Sequence, residues 1–167
     1  MTSPTTGPVL KTILFAILIP GIMAVLIPYL LLEKKVPWPV TWVGWLALAP
    51  TAAGALILIW CARDFAIVGR GTPAPIDPPK LLVASGPYRY VRNPMYWGVE
   101  GVLWGEALCF RSTRLTVYAL LMGLGFHLFV MLYEEPTLRK KFGTSYDEYR
   151  RAVPRWIPRS TPWSREA

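Results

Sequence analysis

The chain has 167 residues, 53% apolar and 17% charged, with 18 Lys and Arg against 10 Asp and Glu and a formal net charge of +8. Soluble domains average roughly 45–50% apolar and 25% charged residues, so this composition excludes a disordered tail. The length is about that of one domain, and the expectation is a single membrane domain over 1–167 with its chemistry in or at the bilayer.

The charges are clustered, and the gaps between them define the elements. Residues 12–32 and 39–62 carry no charge, 94–110 carry only Glu100 and Glu106, and 115–134 carry only His127 before Glu134 at the end. At about 1.5 Å per helical residue, each stretch approaches the roughly 30 Å hydrocarbon thickness. The predicted fold is therefore all-α, an integral membrane bundle of about four transmembrane helices. A soluble helical bundle would need polar faces at helical spacing, and the first two stretches have none.

Pro20 and Pro28 interrupt the first helix and Pro50 the second, which reads as bent packing helices. Residues 63–93 form a cytoplasmic connection, in which Pro73, Pro75, Pro78 and Pro79 force an extended path. Gly101 and Gly105 on the third helix have the spacing that lets another backbone approach closely. The tail, 135–167, reads as a cytoplasmic helical segment. Gly143 supplies a break, and Thr144 with Asp147 three later forms a weak capping box. Tyr146 and Tyr149 then share a face, and Trp156, Ile157 and Trp163 among arginines suit a membrane interface.

Lys and Arg counts in the loops set the orientation. With the N-terminus inside, the cytoplasmic segments hold Lys11, Arg63, Arg70, Lys80, Arg89, Arg92 and the eight basic residues after the last helix. The outer loops hold only Lys34, Lys35, Arg111 and Arg114, so both termini are expected in the cytoplasm. The first span is too long for a cleavable signal and lacks a small-residue cleavage site before Glu33. Cys61 and Cys109 fall at opposite ends of their helices, beyond disulfide reach, and with one histidine they make no zinc pattern. Nothing in the sequence points to a nucleic-acid partner.

Two polar groups are candidates for chemistry. The first is 80–96, which mixes Arg89, Arg92, Asn93 and three tyrosines before a helix opened by Pro94. Free amides at that helix start beside two arginines suit a carboxylate, although composition alone favours positive-inside anchors and an interfacial tyrosine belt. The second is on the fourth helix. At seven positions' separation, His127 and Glu134 project from nearly the same face of an ideal α-helix, with Glu135 displaced by about 100°. Ionisable residues within a membrane are functional candidates by default, and structural hydrogen bonding is the alternative. Glu100 and Glu106 lie about 120° apart and receive no catalytic role.

Leu-Val-x-Ser-Gly-Pro-Tyr-Arg-Tyr-x-Arg-Asn-Pro-Met-Tyr, a helical hairpin, Glu-Glu-Pro-x-Leu, Phe-Gly-x-x-Tyr-x-x-Tyr and Val-Pro-Arg follow one another from Lys80 to about Pro158. This ordered set closely resembles the isoprenylcysteine carboxyl methyltransferases and their phospholipid methyltransferase relatives. The resemblance implies a membrane methyltransferase that binds S-adenosyl-L-methionine in a cytoplasmic-side pocket and modifies a lipidic or small hydrophobic acceptor at a carboxylate, amine or thiol. Position by position it implies cofactor contacts at Lys80, Leu81, Leu82, Val83, Tyr88, Asn93, Pro94, Met95, Tyr96 and Glu134, to which Arg89 and Glu135 are added as cofactor-binding candidates. On this reading His127, Glu134 and Arg92 carry catalysis, with Arg89 or Arg92 on the cofactor carboxylate. Asn93 stands where the family often has histidine, and an amide cannot ionise. Val130 stands where eukaryotic isoprenylcysteine enzymes have an arginine associated with the substrate carboxylate, which puts a prenylcysteine acceptor in doubt. The competing readings are a membrane reductase of sterol-reductase-like architecture using a nicotinamide nucleotide, and a non-catalytic lipid-binding protein.

Overall fold

The computed structural model describes residues 18–32, 42–69 and 80–164, and they are helical apart from short connections. Helix α1 covers Leu18–Leu31. Helix α2 covers Trp42–Asp64 and runs on through a π-helical turn, Phe65–Gly69. A short 3-10 turn, Gly86–Arg89, leads into α3, Pro94–Cys109. Helix α4 covers Thr113–Phe129, continues through a π-helical turn at Val130–Glu134 and ends with Glu135–Phe142. Helix α5 is Thr144–Ala152. Residues 12–17 of the expected first span, together with Lys11, Lys34, Lys35, Arg70, Pro73, Pro75, Pro78 and Pro79, lie outside the described residues.

Two helical stretches, Gly44–Gly69 and Thr113–Phe142, are long and apolar enough to cross a membrane. Their large side chains point outward: Leu46, Leu56, Ile59, Leu121, Leu124 and Leu132 are all exposed. A helix that is apolar all round and unburied needs an apolar solvent, and the chain is a membrane protein. Pro94–Cys109, at 16 residues, and the described part of the first span, Leu18–Leu31, are shorter.

Proline explains both π-helical turns that precede one. The ring has no N–H and collides with the carbonyl four residues back. Ahead of Pro28, the amide of Ile27 reaches five residues back to Ile22 O, and ahead of Pro136 that of Glu135 reaches Val130 O. The fourth helix therefore does not end at 134 as the apolar stretch suggested. It widens for one turn and continues to Phe142.

The helices close on a small-residue seam. Gly54 of α2 faces Gly98 and Gly101 of α3, and Gly105 faces Ala47 and Thr51. Ala24, Val99, Val102, Leu103, Ala119 and Phe126 fill the space among α1, α3 and α4. The predicted Thr144 cap is not made. Gly143 itself holds the cap position at φ +55°, with no side-chain bond, because its left-handed backbone already turns the chain into α5. Beyond α5, residues 153–163 form a strap along 89–97: Arg92 N–H donates to Pro154 O, Arg159 N–H to Tyr90 O and Trp163 N–H to Arg89 O.

A Cβ at Gly54 would stand 2.5 Å from Gly98 O, and backbone cannot move aside cheaply. Gly54→Val should lower the thermal midpoint in detergent, by about 1–3 kcal/mol of overpacking. Gly125→Ala, at a position with nothing within 4 Å, should leave it unchanged. Equal midpoints for both variants would show that the seam does not set the α2–α3 approach.

Candidate active site

The site is built where the start of α3, the end of α4 and α5 meet the 80–88 segment. Tyr88 anchors that segment. It is buried with Cys61 and Val83, its ring meets Phe65 edge-on at 5.6 Å, and its carbonyl accepts the Tyr149 hydroxyl at 2.7 Å. Burial holds both phenols well above their usual range, so each stays a protonated donor. Gly86, at φ +50°, allows the turn before Tyr88 to press against the Asp64 and Trp60 side chains, and Ser85 Oγ donates to Asp64 Oδ2 at 2.9 Å.

The resulting hollow encloses about 120 Å³ of free volume and opens to the outside. Phe65, Phe129 and Tyr133 supply apolar wall, while Arg92, Asn93 and Glu134 supply polar groups. The Tyr96 hydroxyl donates to Glu134 Oε2 at 2.6 Å. Glu135 has different partners: Arg92 Nη1 at 2.8 Å and the two-pronged Arg155 at 2.6 and 2.9 Å. One glutamate thus remains available to a ligand while its neighbour is consumed in an ion-pair triad. Arg92 also lies near the Tyr146 hydroxyl, 3.3 Å away, and its Nε is buried without a partner.

A second hollow opens on the other side of Tyr96, lined by Pro50 of α2, Glu100 and Trp104 of α3, Gly123 and His127 of α4, and Trp156 of the strap. Tyr96 lines both spaces, its ring 4.7 Å from Phe126 and 6.3 Å from Trp156. Trp156 Nε1 donates to His127 Nδ1 at 3.0 Å. An indole N–H is only a donor, so the neutral imidazole that accepts it carries its proton on Nε2. His127 thus accepts a hydrogen bond from the strap through Nδ1.

The structure brings Leu82, Val83, Tyr88, Arg92, Asn93, Tyr96, Glu134 and Glu135 around the first hollow. It parts His127 from Glu134, which line different spaces: the π-helical turn between them winds less per residue than the ideal helix assumed for their shared face. Arg89 lies outside the hollow and donates through Nε to Trp163 O at 2.6 Å. Lys80 and Leu81 border a separate groove with Trp163. Pro94 is buried at the start of α3, and Met95 packs on the Tyr88 cluster. Asn93 does not cap its helix and instead ties down the strap, Nδ2 donating to Arg155 O at 3.1 Å.

Sequence reasoning allowed the tail to cover the mouth of a site between the helices but missed the partners the strap takes. Arg155 and Trp156 stood as interfacial or motif residues, and no periodicity pairs residue 155 with residue 135. Hydrogen bonding to Glu135 raises the Arg155 guanidinium above its usual value, consistent with a permanent pair.

Glu135→Ala would strand Arg92, whose side chain is only 9% exposed. Stranding a buried charge costs about 3–5 kcal/mol, so the thermal midpoint should fall and trypsin should cut faster at Arg155. Arg139→Ala breaks only the exposed pair with Asp147 and should cost less than about 1 kcal/mol. Unchanged cleavage in Glu135→Ala would contradict the tethering role.

A family model described as phospholipid methyltransferase matches residues 42–145, spanning α2 to the first residues of α5. A phosphatidylethanolamine N-methyltransferase of Yarrowia lipolytica (strain CLIB 122 / E 150) is 35% identical over 71 residues, which are 42% of this chain and 7% of that one. The chain thus matches only a small part of that relative's length. No solved structure matches. The family match takes in α2, α3, α4 and nearly every residue around the first hollow, and the chain belongs to the phospholipid methyltransferase family.

Proposed function

We propose that the protein is a membrane methyltransferase that binds S-adenosyl-L-methionine in the hollow around Glu134 and methylates the amine of a phospholipid headgroup. The observation that carries this reading is the pairing within one hollow of Glu134, free of any ion pair among the described residues, with Arg92, whose buried Nε has no partner. That donor set suits a zwitterionic amino-acid end next to a positive sulfonium: Arg92 takes the carboxylate and Glu134 faces the positive charge. Tyr88, Tyr133 and Phe65 offer walls for the adenosine. The four-span arrangement, the cytoplasmic termini and the single domain belong to this reading, because the hollow sits where the positive-inside count expects cytosol.

S-adenosyl-L-methionine, when bound, would supply an activated methyl group, the S–C electron pair staying with sulfur as the amine nitrogen takes the carbon. The protein aligns the partners and excludes water. An amine attacks only when neutral, so a proton must leave it. Glu135 is tied to two arginines and His127 Nδ1 to Trp156. Tyr96 remains, bordering both hollows with its hydroxyl on Glu134. Its oxygen takes the amine proton as its own proton passes to Glu134 Oε2.

Similarity to a phosphatidylethanolamine N-methyltransferase supports an amine acceptor. So does Val130, which is fully buried and offers nothing to a substrate carboxylate. An isoprenylcysteine acceptor is correspondingly disfavoured.

Glu134→Gln should abolish donor binding by calorimetry while the protein stays folded in detergent; unchanged affinity removes Glu134 from the site. Tyr96→Phe keeps the ring on Phe126 and removes the relay. Turnover should fall about 10²-fold or more with donor affinity nearly unchanged. Equal losses in both would make the hydroxyl a binding group.

A further inference from the structure

Resting on the reading of the Glu134 hollow as the donor site, we infer that the second hollow is the seat of the acceptor's cationic head, with Glu100 as the carboxylate that selects it. Glu100 Oε1 is buried and has no hydrogen-bond partner, and it lies on the wall of this hollow. The half-buried carboxylate has the Trp104 indole as a hydrogen-bond partner, and its bare Oε1 remains for a donor or a positive counterpart. Among the described residues no lysine or arginine lines the space, and a cationic ligand head would supply the missing counterpart.

The remaining walls fit the same ligand. Tyr96, Trp97, Trp104, Phe126 and Trp156 all border the hollow, and aromatic faces attract ammonium and methylated ammonium groups, tryptophan most strongly. Space for the head comes from Gly123, where even a Cβ would stand 3.5 Å from Glu100 Oε1. Glu100 lies six residues into α3, about 9 Å below its start, a depth reached from the lipid side. Tyr96 is the wall shared with the donor hollow, so a head held by Glu100 lies on the acceptor side of the group proposed to take its proton. Glu100 touches the substrate without touching the reacting methyl, which makes it a specificity residue.

The test uses the full chain in detergent, without donor, titrated with short-chain phosphatidylethanolamine while tryptophan fluorescence is recorded. Three tryptophans line the hollow, so saturable quenching is expected, with phosphatidylglycerol of the same chains giving little. Glu100→Gln should weaken the phosphatidylethanolamine response at least tenfold while leaving donor affinity by calorimetry within about twofold. Gly123→Leu should weaken it by filling the space, and Gly125→Leu should not, since nothing lies within 4 Å of Gly125. Equal quenching by the two lipids, or undiminished affinity in both Glu100→Gln and Gly123→Leu, would overturn the assignment. A wild-type protein that quenches with the amine lipid but binds no donor would overturn the donor reading and leave the acceptor site standing.

Discussion

The hydrogen bond from Tyr96 to Glu134 is the contact on which the site's organisation depends. At 2.6 Å it joins the first turn of α3 to the π-helical turn of α4, and it does so on the line between two hollows. The geometry is fixed from both sides. Pro94 sets the start of α3, and Pro136 forces the wide turn that swings Glu134 toward it. Two neighbouring carboxylates then take separate work, Glu135 in an ion-pair triad that ties down the strap and Glu134 facing the hollow.

The strap gives the arrangement its second support. Trp156 reaches from it to His127, to the edge of Tyr96 and, through its carbonyl, to Trp97. Arg155 beside it holds Glu135. One short irregular segment therefore supports the first hollow through its arginine and borders the second through its tryptophan. The membrane setting makes this economical: at the interface both a guanidinium and an indole find the environment each prefers.

Much of the framework was legible in the sequence because the physics behind it is local. Charge-free runs gave apolar helices, Gly101 and Gly105 gave a close helix contact, and Gly143 gave the break before α5. Tyr88, Arg92, Asn93 and Tyr96 gather around one hollow because a 3-10 turn and a helix start place them in sequence order, and Glu134 reaches them from α4. What the sequence hid depends on long-range contact or on departure from ideal geometry. His127 and Glu134 share a face only on a helix of constant pitch, and the proline-induced π-helical turn breaks that pitch. Arg89 has the same chemistry as Arg92, and only the path of the strap decides that one faces Trp163 and the other the hollow. Glu100 could not be weighed from spacing alone, because its meaning comes from Gly123 on a different helix.

The most direct test of the central claim is photolabelling with radioactive S-adenosyl-L-methionine, mapped to single residues by mass spectrometry. A donor seated beside Glu134 puts the label on Tyr88, Tyr133 or Tyr146, and an excess of S-adenosylhomocysteine removes it. Label on Trp97, Trp104 or Trp156, or label that the competitor leaves untouched, would contradict it.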